Sequence, residues 1–503
     1  MGRLLARVPP LVVLAMILAA SMYLLAIHAV IRDAHAESRA FFYWATLLLA
    51  LLIGLAVATA REQSRNVTRS QLVALLSAYT VLPVLAAFPV SEIVGDTRFV
   101  NVYVEMVAAV TTTGGTLFAP DRLSESVHLW RAMVAWQGGL LIWVSAAAIL
   151  APLGLGGFEV TRAQTASGRA ADIRVASVEP SRRLSRSLAV LGPIYGGLTL
   201  VLWTVLVLAG EAPTRAVIHA MSTLSTSGIT AGGGVAESPA GRWGELAVFA
   251  FFAFAVTRQT FTADLHRDQV VRLTQDREVR IALAVVAVIT TLLFLRHWIG
   301  AFEVDAVSDT GAALRALWGS AFTVLSFLTT TGFESADWNS AKSWSGLETP
   351  AVLLAGLAMF GGGVATTAGG VKLLRIYALY AHGRREMNLL VHPHSIAGGR
   401  GAQRHLPFAG IEAAWIFFML FALTLAAVTL ALAFTGLDFG TAVIMATAGL
   451  ATTGPLAQVA GIDPQGLNAL PDATKAVWAA AMVVGRLETL ALIALFNPDF
   501  WRG

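Results

Sequence analysis

The chain alternates long apolar runs with short polar ones. Apolar runs lie at about 10–31, 40–60, 71–90, 128–153, 187–209, 243–262, 280–300, 347–380, 406–435 and 473–497. About 20 residues, wound at 1.5 Å per residue, cross the roughly 30 Å apolar core of a bilayer. Ten spanning helices are therefore expected. Four shorter and more mixed segments fall between them, at about 98–110, 213–224, 312–328 and 439–450. At about a dozen residues, 17 in the third, these are too short to cross, and they read as re-entrant half-helices. Non-helical backbone at membrane depth is tolerated only where it lines a water-filled or ion-filled path.

Each half-helix ends on the same five-residue plan: Val110-Thr111-Thr112-Thr113-Gly114, Leu224-Ser225-Thr226-Ser227-Gly228, Leu328-Thr329-Thr330-Thr331-Gly332 and Leu450-Ala451-Thr452-Thr453-Gly454. The pentad glycines are 114, 104 and 122 residues apart. A period near 110 exceeds any solenoid unit and fits a module of helix, half-helix, loop and helix. The fold class expected is all-α integral membrane. Four parallel modules surround a pseudo-fourfold pore, with an extra N-terminal helix pair at 1–69. The modules fall at 70–170, 171–278, 279–404 and 405–503.

Composition agrees with a membrane chain: 503 residues, 56% hydrophobic, 13% charged, mean hydropathy +0.69. Cysteine is absent, which excludes disulfides, thiolate metal sites and cysteine nucleophiles. The net charge of +4 is a topology signal rather than a nucleic-acid footprint. Most Lys and Arg fall on one predicted side: Arg3, Arg7, Arg61, Arg65, Arg69, then Arg162 to Arg186, Arg258 to Arg280, Lys372 to Arg404, and Arg502. The positive-inside rule makes that side cytoplasmic, with both termini there and the pentads approaching from outside. The basic start and Ala34-His35-Ala36 also suit a signal peptide, but the run from Leu11 to Ile31 is long for a signal core and suits a retained helix.

The pentads carry the chemistry of a selectivity filter. Removing water from a cation requires replacement oxygens at a fixed radius, which backbone carbonyls supply. Hydroxyls pin such a loop or line the path, and glycine allows close approach to the axis. The ion-binding residues expected are Thr111, Thr112, Thr113, Gly114, Thr226, Ser227, Gly228, Thr330, Thr331, Gly332, Thr452, Thr453 and Gly454. Below the filter two features suggest a gate. Arg486 lies inside the last apolar run, where a charge costs a few kcal/mol and marks a functional candidate. The segment Gly361-Gly362-Gly363 to Gly369-Gly370, followed by Lys372, is too glycine-rich to be good helix and reads as a flexible interruption. It lacks the Gly-Lys-Ser/Thr ending of a phosphate loop. Glu105 reads equally as a filter-supporting group or an exposed interfacial residue. Glu488 is two residues from Arg486, the wrong spacing for a helical pair. His392 and His394 read as solvated loop residues, since a metal needs further ligands. No cofactor or catalytic constellation is expected.

These residues resemble the Trk/Ktr/HKT superfamily of potassium transporters. The resemblance runs from about residue 70 to the end, and the extra helix pair looks like the Trk branch. It rests on Ala108 to Gly114, Leu328 to Phe333, Trp130-Arg131 with Trp136-Gln137-Gly138-Gly139, Gly361 to Lys372, and Gly485-Arg486-Leu487-Glu488. It implies potassium permeation through the four loops, with Arg486 and the intramembrane glycine-rich loop as the gate. It also implies a homodimer, a cytosolic nucleotide-binding regulatory ring of the TrkA kind, and a bacterial inner-membrane location in contact with lipid. A glycine in every loop goes with potassium preference in this family. Three positions depart from the family pattern: Ser227-Gly228-Ile229 in loop two, Thr452-Thr453-Gly454-Pro455-Leu456 in loop four, and Gln137. A sodium or poorly selective pathway and an ATP-driven pump subunit are the alternatives.

Overall fold

The computed structural model describes residues 8–59, 67–151, 180–257, 276–300, 310–392 and 408–487. All regular structure among them is helical. The main helices are α1 (Pro10–Ile31), α2 (His35–Thr59), α3 (Val67–Val94), α4 (Phe99–Val110), α5 (Glu125–Ser145), α6 (Pro180–Leu208), α7 (Pro213–Ser225), α8 (Gly241–Phe251), α9 (Arg277–Gly300), α10 (Thr310–Leu328), α11 (Trp338–Ser345), α12 (Pro350–Phe360), α13 (Leu373–Val391), α14 (Phe408–Phe434), α15 (Phe439–Leu450) and α16 (Asp472–Leu487). A π-helical turn, Ala146–Leu150, extends α5.

Eight helices among the described residues are long and apolar enough to cross a membrane, and the protein is a multi-pass membrane protein. Seven of the eight match expected spans. The other, α10, was expected as a half-helix. It runs 19 residues, Thr310–Leu328, and begins two residues earlier than expected. Its burial is concentrated from Ala316 onward, so its first six residues stand outside the packed part. Three expected spans are shorter or broken. The run at 347–380 is split into α12 and α13 by the glycine segment. The run at 243–262 becomes α8 and a one-turn helix, Ala253–Val256. Of the last run, only α16 is described.

Burial separates core helices from lipid-facing ones. The apolar window of α5 is 72% buried, while those of α6 and α14 are each 22% buried. Leu208, Leu283, Leu423 and Phe434 stand exposed on the outer helices. A helix apolar all round with little of it buried against protein is suited to lipid. The core gathers on α4, α5, α7, α10, α15 and α16, so the half-helices sit at the centre.

Two groups stand out among the charges assigned to a cytoplasmic side. Arg3, Arg7, Arg61, Arg65, Arg162, Arg169, Arg174, Arg258, Arg267, Arg272, Arg400, Arg404 and Arg502 lie outside the described residues, as do Glu488 and His394. Lys372 and Arg375, counted there as loop charges, are buried. Arg375 lies 3.6 Å from the Phe417 ring centroid on α14, so the aromatic face and not solvent receives it.

Candidate ion path and gate

The four pentads adopt one backbone design. Thr112, Thr226, Thr330 and Thr452 have φ of 55°, 53°, 59° and 53°. A left-handed residue reverses the chain at a helix end and lets later N–H groups cap the last carbonyls. Thr113 N and Gly114 N donate to Ala108 O at 2.8 and 3.0 Å, Ser227 N to Ser222 O at 3.0 Å, Thr331 N to Ser326 O at 2.9 Å, and Thr453 N to Ala448 O at 2.8 Å. Threonine in this region is strained. Here paired hydroxyls fix three of the loops: Thr111–Thr113 at 2.9 Å, Ser225–Ser227 at 3.0 Å and Thr329–Thr331 at 3.1 Å. Loop four has Ala451 at the first of these positions, and Thr453 Oγ1 donates to the Ala451 carbonyl instead, at 3.2 Å.

The loops meet in a ring. A Cβ on Gly114 would collide with the Ser227 carbonyl, and one on Gly228 with the Thr331 carbonyl and the Pro455 ring. A Cβ on Gly332 would stand 2.9 Å from Pro455. Gly454 N donates to Thr113 O at 2.6 Å and closes the ring from loop four to loop one. The first three glycines have φ of 71°, 65° and 84°, whereas Gly454 is right-handed at −59° and leads directly into the helix Pro455–Val459. The residues picked from the pentads are thus all brought together.

The half-helices are braced from behind by groups seven residues before each left-handed threonine. This register holds Glu105, His219, Thr323 and Met445. Glu105, 1% exposed, accepts from Leu117 N at 2.8 Å and pairs with Arg131 at 2.5 Å, so it is not an interfacial surface residue. Thr323 Oγ1 accepts from Ser335 N at 3.3 Å, the same twelve-residue span. His219 lies 2.8 Å from Glu211. Glu245 on α8 reaches across to the third loop and accepts from Ser335 Oγ, Ala336 N and Trp318 Nε1 at 2.6–2.8 Å. Of these, only Glu105 was picked from sequence. The equal spacing from the threonines is the signal that finds the other register members.

On one side of the ring lies a cavity of about 360 Å³, floored by Gly114, Gly228, Gly332 and Pro455 and walled by His128, Arg131, Glu334 and Lys342. Burial raises the Glu334 pKa above the ordinary carboxylate value, with Lys342 and Trp338 opposing it.

On the other side, the segment from Gly361 to Lys372 packs directly against the loops. Gly361, Ala365, Gly370 and Lys372 have φ of 71°, 57°, 73° and 80°. The segment interrupts the helix as expected, but it is pinned rather than loose. Gly369 N donates to Thr330 Oγ1 at 2.8 Å, and Thr367 Oγ1 to Leu224 O at 3.0 Å. Gly363 N donates to Ala255 O at 2.9 Å, and Val364 N to Glu278 Oε1 at 2.8 Å. Lys372 Nζ donates to Ala368 O. Arg486, 3% exposed, donates to Thr367 O at 2.7 Å. Only about 30 Å³ of cavity remains between Arg486, Lys372, Gly369 and the π-turn of α5, about the volume of one water molecule. His392 is exposed at the end of α13, and the described residues contain no group of three or more metal-ligating side chains.

A profile of the TrkH family, described as cation transport protein, matches residues 243–502. The chain is 30% identical over 464 residues to the Trk system potassium uptake protein TrkH of Salmonella typhimurium, covering 91% of each chain. The chain belongs to the TrkH family of cation transport proteins. It is also 30% identical over 435 residues to the Trk system potassium uptake protein TrkI of Halomonas elongata, covering 85% of this chain and 82% of that one. The crystal structure of the potassium transporter TrkH from Vibrio parahaemolyticus shares the fold, with a TM-score of 0.80 over 99% of both chains at 24% identity. These TrkH-family relatives are named as transporters, in keeping with a chain that is not read as an enzyme.

Proposed function

We propose that this chain conducts potassium inward across a bacterial cytoplasmic membrane, through a filter built from the four pentad loops in a pseudo-fourfold arrangement. The observation that carries the reading is the ring: four hydroxyl-rich, left-handed turns on four buried half-helices, joined loop to loop by glycine contacts and by the Gly454–Thr113 hydrogen bond. The helices aim their C-terminal, partly negative ends at this ring. The 360 Å³ cavity is the outer vestibule, where hydrated potassium enters. The driving force is the membrane potential, about 2.3 kcal/mol per charge per 100 mV.

The segment Gly361 to Lys372, with Arg486, is the gate, held in its closed position. Arg486 grips the loop by Thr367 O, and the loop grips the filter by Thr330 and Leu224. Opening requires these bonds to part. The names of the relatives, each part of a Trk system, support a membrane subunit that works with other components. The partners proposed are a second copy of this chain and a cytosolic nucleotide-binding ring docked on the basic side, which also faces anionic lipid.

The test is rubidium-86 uptake into proteoliposomes, with potassium, sodium and lithium as competitors. Block by potassium and not by sodium is expected. Arg486→Ala should raise uptake by the isolated subunit. If both proteins stay silent while folded, the path is misassigned. One observation favours a less selective path: Gly454 is right-handed and its N–H occupies the Thr113 carbonyl. Equal block by sodium would support that second reading.

A further inference from the structure

His219 and Glu211 form a buried pair behind the second loop, each 1% exposed, with Nδ1 to Oε1 at 2.8 Å. His219 occupies the register position that Glu105 holds in the first half-helix. It lies seven residues, about 10 Å along the helix, before Thr226. Its ring meets Phe333, the residue after Gly332, edge-on at 6.0 Å between centroids. It therefore touches the post-glycine segment of the third loop while standing on the second half-helix. Nδ1 faces the carboxylate at ion-pair distance, and Nε2 has no protein partner among the described residues.

The first half-helix uses a permanent ion pair, Glu105 with Arg131. The second uses a pair whose charge can change, because imidazole is the side chain that commonly gains or loses a proton in the physiological range. We propose that His219 Nε2 is a proton-binding site that tunes cation affinity in the second and third loops. Deprotonated, the pair carries one net negative charge behind the loops and favours a cation there. Protonated, the pair is neutral and that attraction is lost. At this burial the charge is little screened by salt. The site modulates the path and is not part of it.

The surrounding charges are otherwise committed. The helices packed on α7 are α5, α6 and α8. On α5, Glu125 pairs with Arg32 and Arg131 with Glu105; His128 lines the vestibule and contacts Pro120 O at 2.9 Å. On α8, Arg242 pairs with Asp337, and Glu245 has three donors. Arg186 stands near the opposite end of α6. Arg215 lies one turn before His219 on α7 itself, Tyr195 is on α6, and Glu334 follows Phe333.

This rests on the pentads being the ion path, and two readouts separate the two ideas. The first is the rubidium concentration at half-maximal uptake, from about pH 8 to about pH 6 outside. The wild type should weaken several-fold on acidification. His219→Gln and Glu211→Gln should each flatten that response while still transporting. The second readout is thermal unfolding of the detergent-purified protein over the same pH range. A pH-dependent step in the wild type that is missing in His219→Gln would support the site even if no variant transports. An unchanged pH response in both His219→Gln and Glu211→Gln, by either readout, overturns the proposal. If His219→Gln fails to fold, Glu211→Gln decides alone.

Discussion

Loop one and loop four are built to the same plan and held by opposite means. Behind loop one, Glu105 and Arg131 form a buried ion pair, paired hydroxyls lock the turn, and Gly114 is left-handed. Behind loop four, Met445 fills the register position, Ala451 removes one hydroxyl, and Gly454 is right-handed and bonds to its neighbour. Loop one is held by its own module. Loop four is held by loop one and by the helix Pro455–Val459. Fourfold likeness at the left-handed threonines therefore coexists with strong asymmetry one shell out, and each turn is conserved in shape by whatever chemistry its own surroundings supply.

The largest expected effect tests that contrast directly. Arg131→Met leaves Glu105 buried without its cation, which costs about 3–5 kcal/mol. Met445→Leu at the matching place in module four should cost under about 1.5 kcal/mol. Thermal unfolding in detergent reads both, and equal losses would erase the distinction. Next come the glycines. Gly114→Ala puts a side chain at φ of 71°, against the Ser227 carbonyl. The left-handed backbone alone costs about 1–2 kcal/mol, and rubidium uptake should fall at least about tenfold. Gly454→Ala has no such backbone penalty; it should act by pushing on Gly115 and weakening the bond to Thr113, and so alter sodium competition more than rate. A rate loss equal to that of Gly114→Ala would mean that left-handedness is not what distinguishes them.

Smaller effects sharpen the same picture. Thr111→Val removes a buried hydroxyl pair that loop four already lacks, worth about 1 kcal/mol, with the loss visible in the unfolding midpoint. The matching Ala451→Thr should recover part of that in loop four if it can reach Thr453. Glu334→Gln should raise the half-saturating rubidium concentration modestly by removing a vestibule charge. Because burial raises the Glu334 pKa, that charge is present above its raised pKa and is lost, as pH falls, sooner than an ordinary glutamate's. A half-saturating concentration identical in wild type and Glu334→Gln would remove Glu334 from cation recruitment.

Much of this was legible in the sequence because it is local. The pentads, the half-helices α4, α7 and α15, and the break at Gly361 to Gly370 follow from residue spacing and from the roughly 1 kcal/mol cost of each helical glycine. What was not legible depends on partners far away in the chain. Glu105 could be read two ways until Arg131 and Leu117 were placed beside it. The glycine segment read as loose because its anchors at Leu224, Ala255 and Glu278 lie in the second module and its anchor at Thr330 lies 39 residues away in the chain. Lys372 and Arg375 looked like loop charges because a linear pattern does not show a chain folding back under the ring, where a carbonyl and an aromatic face receive them. The extent of α10 was legible to within two residues, but its 19 residues are long and apolar enough to cross, where a half-helix was expected.

The join between loop four and loop one also sets a timetable for making the protein. Gly454 bonds to Thr113, Asn101 bonds to both Asn468 and Lys475, and Arg98 pairs with Asp472. The side-chain bonds link residues 367 and 374 positions apart. At ribosomal speeds of about 5–20 residues per second, α4 waits roughly 20 to 70 s for these partners to be synthesised. Through that interval Asn101 and the Thr113 carbonyl belong to an unfinished wall. The ring is completed by the last quarter of the chain to emerge, and a ribosome that stops before Gly454 leaves the Thr113 carbonyl without its partner.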